Sequence, residues 1–299
     1  MRAARVSFTD DRHNLETASS SAGHVVTAAG SYVPRIMKMR NMMLSLALLS
    51  IAACATQQQP QTGGFQLGQT GRIFARPAAV LHASAVTGLH PLKLGTNGRD
   101  GLLYVPANYR KPAPLILMLH GSGDSGEVIM LKVRALADSI GAIVVAPDAR
   151  SFTWDMTVGG SGDPQSIDRF GEDVKFIDNA LRETFKRYPI DRNRIAIGGF
   201  SDGGSYALSL GLMNGDLFTH VLAFSPGFMR LRSTNGKPHV FLAHGTSDDV
   251  LPIDQCGRPL AKAITNAGYD LEYVEFDGKH VVTDPVAREA FTHWFVAAG

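Results

Sequence analysis

The sequence predicts an α/β fold, a mostly parallel sheet with helices on both faces, and three observations predict it. Short apolar runs alternate with segments of helical periodicity along residues 99–296. Two of these runs, Pro114–Leu119 (PLILML) and Ala142–Ala146 (AIVVA), are apolar throughout. A strand apolar on both faces is buried on both, as a parallel strand between two helical layers is. The 31 glycines cluster at turns between the runs, where repeated strand-to-helix switches need backbone freedom.

The elements follow in order. Arg99–Pro106 reads as a strand, and Pro114–Leu119 as a buried strand ending at His120-Gly121. Glu127–Ile140 has helical spacing, and Ala142–Ala146 is the next buried strand. In Asp168–Tyr188, Phe170, Val174, Ile177, Leu181 and Phe185 fall on one helical stripe. Arg194–Phe200 is a strand, Gly203–Met213 a helix and His220–Phe224 a strand. Val240–Ala243 (strand), Asp254–Ala267 (helix), Leu271–Phe276 (strand) and Pro285–Val296 (helix) complete the series. Alternation of this kind builds one parallel sheet with helices on each face. No internal repeat and no second domain is visible.

The amino-terminal part has another character. Met37–Arg40 is basic and Met42–Ala53 mostly apolar, the charged and apolar regions of a secretory signal, too short to span a bilayer comfortably. It ends Ile51-Ala-Ala-Cys54, which resembles the lipobox of bacterial lipoproteins. That resemblance makes Cys54 the acylated residue, and, with Ala55 and not aspartate following, implies the outer membrane, facing the periplasm. Each buried methylene contributes about 0.8 kcal/mol, so two or three acyl chains anchor firmly. A plain cleaved signal or a short buried helix is the competing reading. Residues 1–36 are polar and unperiodic, and read as an over-long extension ahead of a start at Met37 or Met39. Residues 54–75, with Gln57–Gly64, read as a flexible tether. The catalytic body is expected over 76–299.

Net charge is +2. Residues 1–53 carry six bases and three acids, so the rest of the chain is at −1, and it offers no electrostatic case for nucleic acid. The two cysteines, Cys54 and Cys256, could pair on paper, but lipidation gives Cys54 a use of its own. Cys256 is expected to be a buried thiol. Histidines and acids lack paired ligand spacing and there is no H-E-x-x-H, so no metal and no cofactor is expected.

Gly199-Phe-Ser201-Asp-Gly203 joins a predicted strand directly to a predicted helix. G-x-S-x-G is weak as a pattern and specific in that setting. The serine occupies a strained turn, its hydroxyl projects from the carboxyl edge of the sheet, and the helix amino terminus behind it favours negative charge. The alternative is a glycine-rich turn with a capping serine.

With LMLHGSGD (117–124), GGFSDGG (198–204), AHGTSDDVLP (243–252) and FDGKH (276–280), residues 89–299 resemble α/β-hydrolase esterases, particularly the phospholipase/carboxylesterase and polyhydroxybutyrate-depolymerase-like groups. The resemblance implies an α/β-hydrolase fold without a large lid domain. It makes Ser201 the nucleophile, Asp248 the acid (with Asp249 the neighbouring rival) and His280 the base. It assigns the oxyanion donors to the backbone amides of Ser122 and Asp202. His120 and His244 are then structural. His220 and His239 start strands at the opposite edge, and His293 lies within the last helix.

The loop Ser151–Gln165 carries Phe152, Trp154 and Met156. These line an apolar acyl or aryl pocket or pack over the sheet end; both readings stand. No long insertion follows Phe224-Ser225, where many lipases carry a lid, so an open site taking small or soluble esters is expected. The implied activity is cleavage of carboxylic esters through an acyl-enzyme. Its rivals are a peptidase, thioesterase or acyltransferase on the same triad, or a non-catalytic envelope binding lipoprotein. Oligomeric state is not legible.

Overall fold

The computed structural model describes residues 70–80, 84, 86–95, 98–156 and 170–295. Eight strands form a single sheet: β1 (Gly88–Pro91), β2 (Gly101–Val105), β3 (Ala113–Leu119), β4 (Ile143–Pro147), β5 (Ile190–Phe200), β6 (His220–Phe224), β7 (His239–Gly245) and β8 (Leu271–Phe276). Their spatial order is β1-β2-β4-β3-β5-β6-β7-β8. β1 pairs antiparallel with β2, and β2 antiparallel with β4. Every other neighbouring pair is parallel. The helices are α1 (Gly126–Ile140), α2 (Glu172–Arg187), α3 (Asp202–Met213), α4 (Gly257–Asn266) and α5 (Asp284–Arg288), which runs into a π-helical segment, Glu289–Trp294.

Period-two alternation divides the core. Leu115, Leu117 and Leu119 of β3 face one layer with Val174, Ile177 and Leu181 of α2 and Tyr206 and Leu210 of α3. Ile116 and Met118 face the other, with Ile129, Met130 and Val133 of α1 and Phe291 of the carboxyl-terminal segment. All seven residues of β3 are buried. At ~25 cal/mol per Å² of apolar surface removed from water, such two-sided burial is the main force holding a central strand. α1 is closed at both ends: the Ser125 side chain accepts from the Val128 amide, and Gly141, at φ 66°, donates back to Ala137 and Asp138.

The observed elements depart from the sequence reading in four places. β1 was not read at all. β5 begins at Ile190, where Arg194 was expected. The last helix is a short α-turn followed by π-helix; apolar spacing does not separate i→i+4 from i→i+5 bonding over so few residues. Lastly, the packed body starts earlier than residue 76. Ile73 is fully buried and its amide donates to Asn214 Oδ1 at 2.9 Å, while Phe74 and Ala75 amides donate to Asp178. Residues 70–75, assigned to the tether, therefore lie against α2 and the end of α3. The extension, the signal segment and Cys54 lie outside the described residues.

The site is positioned by this topology. Loops after β3, β5, β7 and β8 all emerge at the carboxyl edge of the sheet, the side on which open α/β sheets assemble their ligand sites.

Candidate active site

Ser201 sits between β5 and α3 with φ 57° and ψ −123°, a conformation an L-residue adopts only under strain. The turn is possible because its flanking glycines lack side chains. A Cβ on Gly199 would lie 2.3 Å from the Gly203 carbonyl oxygen, and one on Gly203 would lie 2.3 Å from that of Leu119. The Ser201 amide donates to Phe224 O at 3.0 Å, and its carbonyl accepts from Ser205 N at 2.9 Å. The elbow is thus tied to β6 and to its own helix.

Ser201, His280 and Asp248, distant in sequence, meet here. Ser201 Oγ lies 2.9 Å from His280 Nε2, and His280 Nδ1 lies 2.8 Å from Asp248 Oδ2. Because Nδ1 faces a carboxylate, Nδ1 carries the hydrogen and Nε2 is left to accept from the serine hydroxyl. The His280 ring also rests on the Phe200 ring, with centroids 4.8 Å apart. Asp248 is buried. Burial alone would raise its carboxyl, but hydrogen bonds from His244, His280 and the Leu251 amide outweigh this and hold it well below the usual carboxylate range. Val250 N and Leu251 N donate to Oδ1 at 3.0 and 2.8 Å. Asp249, the rival acid, points outward to Lys279 at 3.1 Å.

The His120–Gly123 loop lies against the nucleophile: a Cβ on Gly121 would stand 3.5 Å from Ser201 Cβ. Ser122 hydrogen-bonds through its side chain to the Asp202 carboxylate, which also accepts from Thr153 Oγ1 at 2.8 Å. Burial raises the Asp202 carboxyl above its ordinary value against these bonds. Asp202 is the first residue of α3, so its amide has no intrahelical acceptor.

His120, His220 and His239 are structural in placement. His120 is buried; its Nδ1 donates to Gly121 O at 2.7 Å and its Nε2 accepts from Ala149 N at 2.9 Å. His220 and His239 are paired at the starts of β6 and β7, on the far edge of the sheet. Cys256 is buried.

The expected pocket trio divides. Trp154 and Met156 are each 1% exposed and belong to the hydrophobic core. Trp154 stacks on Tyr206 and donates Nε1–H to His120 O at 2.9 Å. Trp154 and Met156 both pack into the core beneath the loop. Phe152 alone is at the surface, 51% exposed. Its carbonyl accepts from the Gly123 amide at 2.8 Å, and its ring covers Gly123 so closely that a Cβ there would meet Cζ at 2.9 Å. Sequence reasoning missed the Phe200–His280 contact, the Thr153–Asp202 bond and the approach of His244 to Asp248. Only the last had a signal, the i,i+4 spacing within HGTSD.

Residues 102–287 match the model of the phospholipase/carboxylesterase family. Among curated proteins, a probable feruloyl esterase C of Aspergillus flavus is 31% identical over 202 residues, covering 63% of this chain and 68% of that protein. A bifunctional acetylxylan esterase/xylanase of Neocallimastix patriciarum is 30% identical over 167 residues, or 53% of this chain; the match spans only 22% of that longer protein. A ferulic acid esterase structure from the anaerobic fungus Anaeromyces mucronatus superposes with a TM-score of 0.54 at 17% identity, over 75% of this chain and 97% of that one. This last likeness concerns the fold.

Proposed function

The chain belongs to the phospholipase/carboxylesterase family, its site is that of a serine carboxylic-ester hydrolase, and on that premise we propose that the protein hydrolyses compact acyl and aromatic acyl esters through an acyl-enzyme on Ser201. The observation that carries this reading is the hydrogen-bonded series Ser201 Oγ, His280 Nε2, His280 Nδ1, Asp248 Oδ2.

In the first half-reaction Ser201 Oγ attacks the ester carbonyl carbon while its proton passes to His280 Nε2. Asp248 holds the imidazole in place and stabilises its cationic form. The carbonyl oxygen becomes an oxyanion between the amides of Ser122 and Asp202, each such donor lowering the barrier by about 3 kcal/mol. The tetrahedral species collapses, the C–O bond to the alcohol breaks, and the leaving oxygen takes the proton from Nε2. Water then repeats the sequence on the acyl-enzyme, releasing the acid and restoring the Ser201 hydroxyl. No cofactor enters any step.

The acyl preference rests on two features. The described connection from Phe224 to His239 contains no helix, which supports a site open on that side. The exposed Phe152 ring beside the oxyanion loop offers a planar surface for an aromatic acyl group, in line with the feruloyl esterase names among the relatives. A fluorophosphonate probe on wild type and Ser201→Ala, followed by nitrophenyl and hydroxycinnamoyl esters with thioester and amide counterparts, tests the assignment. Labelling that depends on Ser201, with ester turnover above thioester and amide turnover, is expected. Labelling without ester turnover would transfer the site to another acyl transfer.

A lipid anchor at Cys54 on the periplasmic face of an outer membrane is the second part of the proposal. It rests on the basic, apolar, Ile-Ala-Ala-Cys succession of residues 37–54. Radiolabelled palmitate should enter the wild type and not Cys54→Ala; equal labelling of both would remove the anchor from this account.

A further inference from the structure

We infer that His244 is a positioning residue of the triad, a second histidine on the catalytic carboxylate that fixes Asp248 for His280. The inference rests on the serine-hydrolase reading of the site. Asp248 Oδ2 is approached by two imidazoles, His280 Nδ1 at 2.8 Å and His244 Nε2 at 3.3 Å. Both the His244 and the Asp248 side chains are wholly buried.

The same His244 Nε2 lies 2.7 Å from Leu251 O. It therefore faces a carbonyl and a carboxylate, neither of which has a hydrogen to give, so Nε2 carries the hydrogen and shares it. The shorter limb goes to Leu251 and the longer to Asp248. Nδ1 is buried without a protein partner among the described residues, which agrees with that tautomer. Meanwhile the Leu251 amide donates to Asp248 Oδ1 at 2.8 Å. A closed ring results: carboxylate to Leu251 amide, Leu251 carbonyl to His244, His244 back to the carboxylate. His244 is the next-to-last residue of β7, and Gly257 backs its ring so tightly that a Cβ there would meet Nδ1 at 2.8 Å.

The ring has a mechanical consequence. Oδ1 is held by two amides, and Oδ2 by two imidazoles, one from β7 and one from the loop after β8. Rotation of the carboxylate about its Cβ–Cγ bond would break all four contacts. Without His244, Oδ2 would rely on His280 alone, the buried Leu251 carbonyl would lose its donor, and the acid would no longer be fixed independently of the base it orients. Displacement of catalytic groups by about 1 Å costs on the order of 100-fold in rate.

The test compares His244→Phe, which keeps the ring and removes the donor, with His244→Gln, which restores an N–H near the Nε2 position. The readouts are the rate of fluorophosphonate labelling of Ser201, and kcat and KM on nitrophenyl acetate per labelled site. His244→Phe should lower labelling rate and kcat about 10- to 100-fold with KM within about twofold, and His244→Gln should recover most of the loss. In an Asp248→Asn background His244→Phe should cost less than about twofold more, because its effect passes through that carboxylate. A folded His244→Phe protein with wild-type labelling rate and kcat would overturn the inference, as would an equal loss in both backgrounds. Nitrogen-15 histidine spectra of the wild type test it independently of how the variants fold. His244 should show the Nε2–H tautomer and shift when Ser201 is phosphonylated; an Nδ1–H tautomer would overturn it. Absence of wild-type labelling would instead defeat the serine-hydrolase reading, and this inference with it.

Discussion

Ser201→Gly should yield a more stable protein than Ser201→Ala. Both variants lack the hydroxyl and its bond to His280, so they differ only in the Cβ at a backbone held at φ 57° and ψ −123°. Holding a residue with a Cβ in such a region costs about 1–3 kcal/mol, which glycine does not incur. Glycine gives back about 0.4–1 kcal/mol through the greater freedom of its unfolded chain. The balance favours glycine by about 1 kcal/mol, and the elbow cannot relax to lower it: its amide is bonded to Phe224 and its carbonyl to Ser205. Urea unfolding followed by tryptophan fluorescence suits the measurement, since Trp154 is buried against Tyr206. With slopes of about 1–3 kcal/mol/M, the midpoint of Ser201→Gly should lie about 0.3–1 M above that of Ser201→Ala. An equal or lower midpoint would mean that the strain is not stored at this residue, and the argument for the elbow would fail.

Further outcomes are expected for three variants. Asp248→Asn should lower kcat by about 10³- to 10⁴-fold by upsetting the tautomer of His280. Because its folded carboxyl is depressed well below the ordinary 3.8, Asp248 contributes its full stabilisation above 3.8 and loses it progressively as pH falls from there through the depressed folded value; the Tm gap between wild type and Asp248→Asn should therefore be wide at pH 7 and begin to shrink only below pH 3.8. Asp173 behaves oppositely: burial, then the adjacent Asp155 charge, pushes it up to about 7. Its contribution is full below 3.8 and is lost as pH rises through about 7. Asp173→Asn should accordingly flatten the decline of urea midpoint between pH 4 and 8, though it sacrifices one of the two carboxylate oxygens that accept from the Arg150 and Asp155 amides. Phe152→Ala should raise KM for hydroxycinnamoyl esters about 5- to 30-fold, matching about 1–2 kcal/mol of lost aromatic contact. Nitrophenyl acetate kinetics should be unchanged within about twofold; an equal loss on both substrates would place Phe152 in support of the oxyanion loop instead.

The sequence by itself determined the layered architecture and the chain order of the chemical groups. Apolar runs such as PLILML and the stripe from Phe170 to Phe185 report burial through spacing along the chain, a local property. The serine elbow was legible for the same reason, since glycines at 199 and 203 are demanded by contacts within one strand-turn-helix unit and by the neighbouring β3. Only the tertiary structure decided where loop side chains point. Asp248 and Asp249 are adjacent, yet one turns inward to His280 and the other outward to Lys279. Phe152 and Trp154 are two residues apart, yet one stands in solvent and the other stacks in the core. Ile73 looked like tether because its burial depends on Asn214, far along the chain. A loop has no period to fix its side chains, so their directions are set by whatever the folded chain brings beside them.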